Sequence, residues 1–304
     1  STGVDTKDGA ARGRCGEREG YTLVDTRGDM DIESTFGTAN PVIGMVHLGP
    51  LPGAPKASAD GAAAMRSALD RAVEDVSALE RGGVDGVMIE NFGDAPFYPE
   101  DVPKHTVAAT TRAAATVADA TTLPIGINVL RNDAEAAISV AAAVDAAFVR
   151  VNVHTGARVT DQGIVEGRAH ETIRLRERLG VDVSIFADTD VKHSAPLTPE
   201  TYSAESFADT AERGLADAVI ASGSGTGAAI DRAALEAVVD ERERHGLETP
   251  VFVGSGVRPE TIADLLDLAD GVIVGTALKE GGETTAPVDE ARVAALVSRA
   301  DECR

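Results

Sequence analysis

The sequence predicts an α/β fold, a single (β/α)8 TIM barrel with a polar N-terminal extension, from three observations. Eight short apolar runs recur along the chain, helix-period segments separate them, and the last two runs each break into glycine-bearing turns. Short strands alternating with amphipathic helices pair in parallel through right-handed crossovers, and eight such units close on themselves.

Residues 1–38 are polar, rich in Gly, Asp and Arg, and lack an apolar period, so they are expected to form a flexible arm that buries too little to offset its ordering entropy. The barrel is assigned to residues 39–304. Its first strand is Val42–His47, running into Gly49-Pro50-Leu51-Pro52-Gly53. Two prolines there forbid the immediate helix start that a doubly wound nucleotide-binding turn requires. The remaining strands are expected at Gly86–Glu90, Ile125–Asn128, Phe148–Asn152, Val183–Asp188, Ala218–Ser222, Val251–Gly254 and Gly271–Val274. Alanine-rich helical stretches fall at Ala62–Arg81, Ala134–Val144, Ile164–Leu179 and Ala233–Arg244. No repeat at solenoid period is present.

A length of 304 residues with 43% hydrophobic content suits one such barrel. The formal net charge of −22 lacks the basic footprint that nucleic acid demands. Nearly all basic residues are arginine, the lysines being Lys7, Lys56, Lys104, Lys192 and Lys279. A carboxylate-rich surface with little lysine points to solubility in concentrated salt, and so to a halophilic cytoplasm. No apolar run reaches membrane-spanning length and no signal-peptide pattern opens the chain, so neither membrane nor export is expected. Cys15 and Cys303 lack metal-ligand spacing or a nearby partner, consistent with a reducing compartment. The alanine-rich helix faces suit homo-oligomer formation.

In barrels of this type the chemistry sits at the C-terminal ends of the strands. Polar residues collect there throughout: His47, Glu90 and Asn91, Asn128 with Arg131, Asn152 with His154, Asp188 followed by Asp190, Lys192 and His193, and Ser222. Any one of them could be a helix cap or turn former, but all eight strand ends carry such residues. The sharpest signal is the pair of glycine turns. Gly254-Ser255-Gly256 after the seventh run and Gly275-Thr276 after the eighth, with Gly223 and Ser224 after the sixth, predict a phosphate site, because glycine lets backbone N–H groups approach an anion. Arg258 could add charge-assisted bonds, or simply be a solvated residue at a helix start.

Asp188 and Asp190 are expected to share a side of the fifth strand, where one carboxylate could hold a proton beside the other and act as general acid. Glu90 and Lys192 complete the catalytic candidates, with Lys192 anchoring an anionic substrate or, alternatively, forming a Schiff base. His47, Asn91, Asn128, Arg131, Asn152, His154, His193 and Ser222 are the substrate-binding candidates. No spacing declares a metal site, so none is assigned, although Glu90, Asp188, Asp190, His47, His154 and His193 could in principle converge on a divalent ion.

The strings Val42–Gly53, Val84–Asp94, Gly126–Asp133, Arg150–Gly156, Asp161–Gly163 and Ile185–His193 together resemble the BtpA (BtpA/SgcQ) family from about Pro41 to Lys279. Gly49 departs from it, since relatives usually carry proline or a similar residue there, and the N-terminal arm lies outside the shared pattern. In bacteria the family is tied to photosystem I biogenesis and to sugar-transport operons. Its archaeal branch, which this acidic sequence resembles, implies phosphorolysis of purine ribonucleosides such as guanosine. That activity would use inorganic phosphate as co-substrate and require no cofactor. The glycine loops would hold phosphate, Asn128, Asn152, Glu90 or His154 the ribose, and Asp188 or Asp190 would protonate the departing base. Two alternatives stand beside it: a sugar-phosphate isomerase or aldolase using the same phosphate loops, and a non-catalytic assembly factor.

Overall fold

In the computed structural model, which describes residues 30–190, 194–197, 206–223 and 230–304, each apolar run forms a strand. These are β1 (Val42–His47), β2 (Gly86–Glu90), β3 (Ile125–Asn128), β4 (Phe148–Val151), β5 (Ser184–Asp188), β6 (Ala218–Ala221), β7 (Val251–Val253) and β8 (Gly271–Val274). They close into a parallel barrel in the order β1-β8-β7-β6-β5-β4-β3-β2. Strand bounds depart from the sequence expectation by one residue at the ends of β4, β6 and β7 and at the start of β5.

The helices are α1 (Ile32–Phe36), α2 (Gly61–Gly82), α3 (Lys104–Ala118), α4 (Ala134–Val144), α5 (Ala169–Leu179), α6 (Ser206–Ala208), α7 (Arg232–His245), α8 (Ile262–Leu266) and α9 (Glu290–Asp301). Acidic residues serve them locally. The carboxylates of Asp31, Asp60, Asp133, Asp231 and Asp289 each accept a hydrogen bond from a first-turn N–H of α1, α2, α4, α7 and α9.

Strand alternation divides the core into two shells. Outward residues such as Val42, Val87, Ile127, Val149, Ile185 and Val219 pack under the helices. Inward residues Ile43, Met45, Met88, Phe148, Phe186, Ile220, Phe252 and Ile273 fill the barrel. The rings of Phe148, Phe186 and Phe252 stand 4.7 and 4.8 Å apart in succession. Glycines face them: a Cβ at Gly126 would overlap Phe148, and one at Gly271 would overlap Phe252.

Two expectations are corrected. Residues 30–37 belong to the barrel rather than to a free arm, because Met30 and Phe36 are buried and Phe36 meets Phe148 edge-on at 5.8 Å. With Ile32 packed partly buried against the same cluster, the segment has three apolar anchors, too few to show a period. The helix expected from Ile164 begins at Ala169. Ala157–Thr160 and Gly163–Glu166 instead form an antiparallel hairpin, joined at its edge by Ser194–Pro196. Gly163, at φ +109°, makes the reversal, and β-branched Ile164 and Val165 favour a strand.

Candidate active site

At the C-terminal mouth the inward positions change character. Two residues beyond Met45, Met88, Gly126, Phe148, Phe186, Ile220, Phe252 and Ile273 stand His47, Glu90, Asn128, Arg150, Asp188, Ser222, Gly254 and Gly275. Strand parity therefore places a polar layer on the aromatic one.

Arg150 is the centre of that layer. Its guanidinium donates from Nε and Nη2 to the two oxygens of Asp188 at 3.1 and 3.0 Å, and Asn152 Nδ2 donates to Asp188 Oδ2 at 2.7 Å. Asn128 Nδ2 donates to the Arg150 carbonyl at 2.9 Å and to Asn152 Oδ1 at 3.3 Å. Burial opposes the charge on Arg150, but the carboxylates of Asp188 and Glu90 outweigh it and hold the guanidinium above its usual pKa. The side chain of Asp188 is 1% exposed and accepts three hydrogen bonds. This makes it an acceptor that orients Arg150 and Asn152, not the proton donor expected from sequence. Asp190 does not join it. The strand ends at Asp188, and the Asp190 carboxylate, 63% exposed, pairs with Arg158 of the hairpin.

Above this layer opens a cleft of about 660 Å³. Its floor and near wall carry His47, Glu90, Arg131, Arg150 and Asn152. Phe92 and Phe97 line one side, with the Phe92 ring 4.8 Å from that of His47, and Asp161 reaches in from the hairpin tip. The other side is the expected phosphate end: Gly254, Ser255, Gly256, Gly275 and Thr276, joined by Arg258 and by Arg292 from α9. Ser255 Oγ accepts from Gly223 N at 2.9 Å, tying the loop after β6 to the one after β7. His47 Nε2 lies 3.7 Å from Glu90 Oε1.

Four substrate-binding candidates do not line the cleft. Asn91 braces loops: its Oδ1 accepts from Leu130 N at 2.7 Å and its Nδ2 donates to Asp94 Oδ2 at 3.2 Å. His154 points away from the mouth and donates from Nε2 to the Gly214 carbonyl at 2.8 Å, and burial pulls its pKa below the ordinary histidine value. Asn128 lies beneath the cleft surface, its Oδ1 buried without a hydrogen-bond partner among the described residues, as is Ser222 Oγ. Lys192, His193 and Ser224 lie outside the described residues. Among the described residues, no group of three or more His, Cys, Asp or Glu could hold a metal.

Sequence reasoning missed Arg150, although an arginine within an apolar run, in phase with Phe148 and Asn152, was a legible signal. Arg292 gave none, since it reaches the cleft from a helix that no strand-end rule covers.

The BtpA family model matches residues 38–302. The "Photosystem I biogenesis protein BtpA" of Synechocystis is 45% identical, the match covering 88% of this chain and 90% of that protein. The "Putative sgc region protein SgcQ" of Escherichia coli is 31% identical, covering 90% and 98%. Among solved structures, N-(5'-phosphoribosyl)anthranilate isomerase from Pyrococcus furiosus superposes with a TM-score of 0.53 at 13% identity, covering 86% of this chain and 99% of that one. Mycobacterium tuberculosis tryptophan synthase gives 0.54 at 20% identity, covering 86% and 92%. At such identities these two likenesses speak to the fold alone.

Proposed function

The chain belongs to the BtpA family, and from that premise we propose that its cleft is a phosphorolytic site converting a purine ribonucleoside, such as guanosine, into free base and ribose 1-phosphate. The observation that carries this reading is the layout of the cleft at the barrel mouth: an anion end of glycine turns and two arginines beside a floor of Arg150 and Glu90.

Inorganic phosphate would sit against Gly254–Gly256 and Gly275–Thr276, with Arg258 and Arg292 supplying charge. The ribose would lie over Glu90 and Asn152, and the base against Phe92 and Phe97. As the glycosidic C–N bond lengthens, its electron pair leaves with the base and the ribosyl group takes on oxocarbenium character. Glu90, at the floor, would stabilise that positive charge while a phosphate oxygen forms the new bond to C1′. The departing base would take its proton from water. Asp188 acts indirectly, by fixing Arg150 and Asn152.

The isomerase or aldolase alternative would share the phosphate end. Its Schiff base would fall to Lys192, which lies outside the described residues; Lys56, Lys104 and Lys279 do not line the cleft. The test is a nucleoside screen with phosphate in high salt, reading free base and ribose 1-phosphate. Guanosine is expected to react only when phosphate is present. Asp188→Asn is expected to lower kcat by roughly 100-fold with KM little changed, the scale of losing one preorganised electrostatic contact. Base release independent of phosphate, or turnover of sugar phosphates alone, would overturn the reading.

A further inference from the structure

The loop between β8 and α9 is pinned by a buried charge cluster whose residues do not themselves line the cleft. Asp75, on α2, and Lys279 have side chains 1% exposed, with Lys279 Nζ 3.0 Å from Asp75 Oδ2. Asp75 Oδ1 accepts from Arg71 Nε at 2.9 Å and from Val288 N at 2.8 Å. One carboxylate thus holds both ends of the 279–288 loop, whose neck is closed by pairing of Lys279 with Val288.

The far end of that loop enters the site. Gly281 and Gly282, at φ +62° and +72°, let the chain double back, and Gly282 lines the cleft. The Thr284 carbonyl then lies 3.2 Å from His47 Nδ1, and its hydroxyl 2.9 Å from the Thr276 hydroxyl. A carbonyl can only accept, so Nδ1 carries the proton and Nε2 is the ring nitrogen turned toward Glu90. A loop neck needing only stability could be apolar, because buried ion pairs add little to stability over packed hydrocarbon.

We propose that Asp75 and Lys279 are positioning residues that, through the 279–288 loop, fix the tautomer of His47 and aim Thr276 at the anion end of the cleft. This rests on the reading of that end as a phosphate site, and not on which nucleoside is used.

The test uses the full chain with inorganic phosphate as the probe, together with ¹⁵N spectra of labelled histidines. Asp75→Leu/Lys279→Met removes both charges together and retains apolar bulk. It is expected to leave the circular dichroism spectrum unchanged, to give His47 a mixture of tautomers, and to weaken phosphate binding roughly 10- to 100-fold, the scale of a small misplacement at a site. Thr284→Val keeps the carbonyl and loses the hydroxyl. It is expected to weaken phosphate several-fold with the His47 tautomer unchanged, and it tests the Thr276 contact should the double variant not fold. A folded double variant with the wild-type tautomer and phosphate affinity overturns the inference, as does unchanged phosphate affinity in Thr284→Val. Wild-type protein that binds no phosphate would remove the anion site itself, while the histidine spectra would still show whether the loop sets the tautomer.

Discussion

At the scale of single residues, the polar groups of this barrel divide by which way they face. Arg150 and Asn152 look into the cleft, whereas His154, two positions on, is turned to the Gly214 carbonyl. Burial, the largest influence on His154, lowers its folded pKa below the unfolded value, and its bond to Gly214 only partly opposes this. The unfolded chain therefore binds a proton more readily than the native one. The stability His154 contributes is present above about pH 6.5, the unfolded value, and is lost as pH falls toward the folded value, by about 1.4 kcal/mol for each unit of difference. Between pH 7.5 and 5 the urea midpoint of the wild type is expected to fall more steeply than that of His154→Gln. Parallel curves would show that the native state takes the proton without penalty.

At the scale of elements, the interior strands depend on small residues opposite large ones. Gly126 on β3 faces the Phe148 ring on β4, and a methyl group there would displace a ring stacked on Phe186 at 4.7 Å. Gly126→Ala is expected to cost about 1–3 kcal/mol by overpacking, and Phe148→Leu in the same chain to recover part of that. Chemical denaturation of the two single variants and the double variant measures it; additive losses would show that the ring does not carry the strain. The strands themselves were legible because each is a short, buried, mostly apolar run that gives way at its end to a polar residue or a glycine turn. The 157–166 hairpin was not: its residues fit a helical period as well as an alternating one, and its pairing is with Ser194–Pro196, distant in sequence. The same limit applies within the site. Strand-end position identified Glu90, Asn152 and the glycine turns, but it could not tell Asp188, locked under Arg150, from a proton donor. Nor could it show that Asp190 lies beyond the end of β5, where Arg158 takes it.

At the scale of the whole molecule, acidic residues outnumber basic ones, 50 to 28, and the question is whether attraction or repulsion dominates their sum. Attractive pairs in the core, such as Arg150 with Asp188 and Lys279 with Asp75, are buried and little affected by ions in solution. Exposed pairs such as Arg232 with Glu236 are worth about 0–1 kcal/mol each. The net charge of −22 is left to repel itself over longer distances. Two carboxylates 10 Å apart in water repel by about 0.4 kcal/mol, and many such pairs add across a compact surface. That long-range repulsion is what salt removes, since the screening length falls from about 10 Å at 0.1 M to about 3 Å at 1 M. Stability is therefore expected to rise with potassium chloride, and a gain of about 3–5 kcal/mol would lift Tm by on the order of 10 °C. Melting curves from 0.1 to 2 M salt check this. Changing the exposed Asp240, Glu243 and Glu248 to their amides should raise Tm at 0.1 M and leave it nearly unchanged at 2 M. A Tm that is flat or falls with salt would mean that exposed ion pairs, rather than self-repulsion, set the balance.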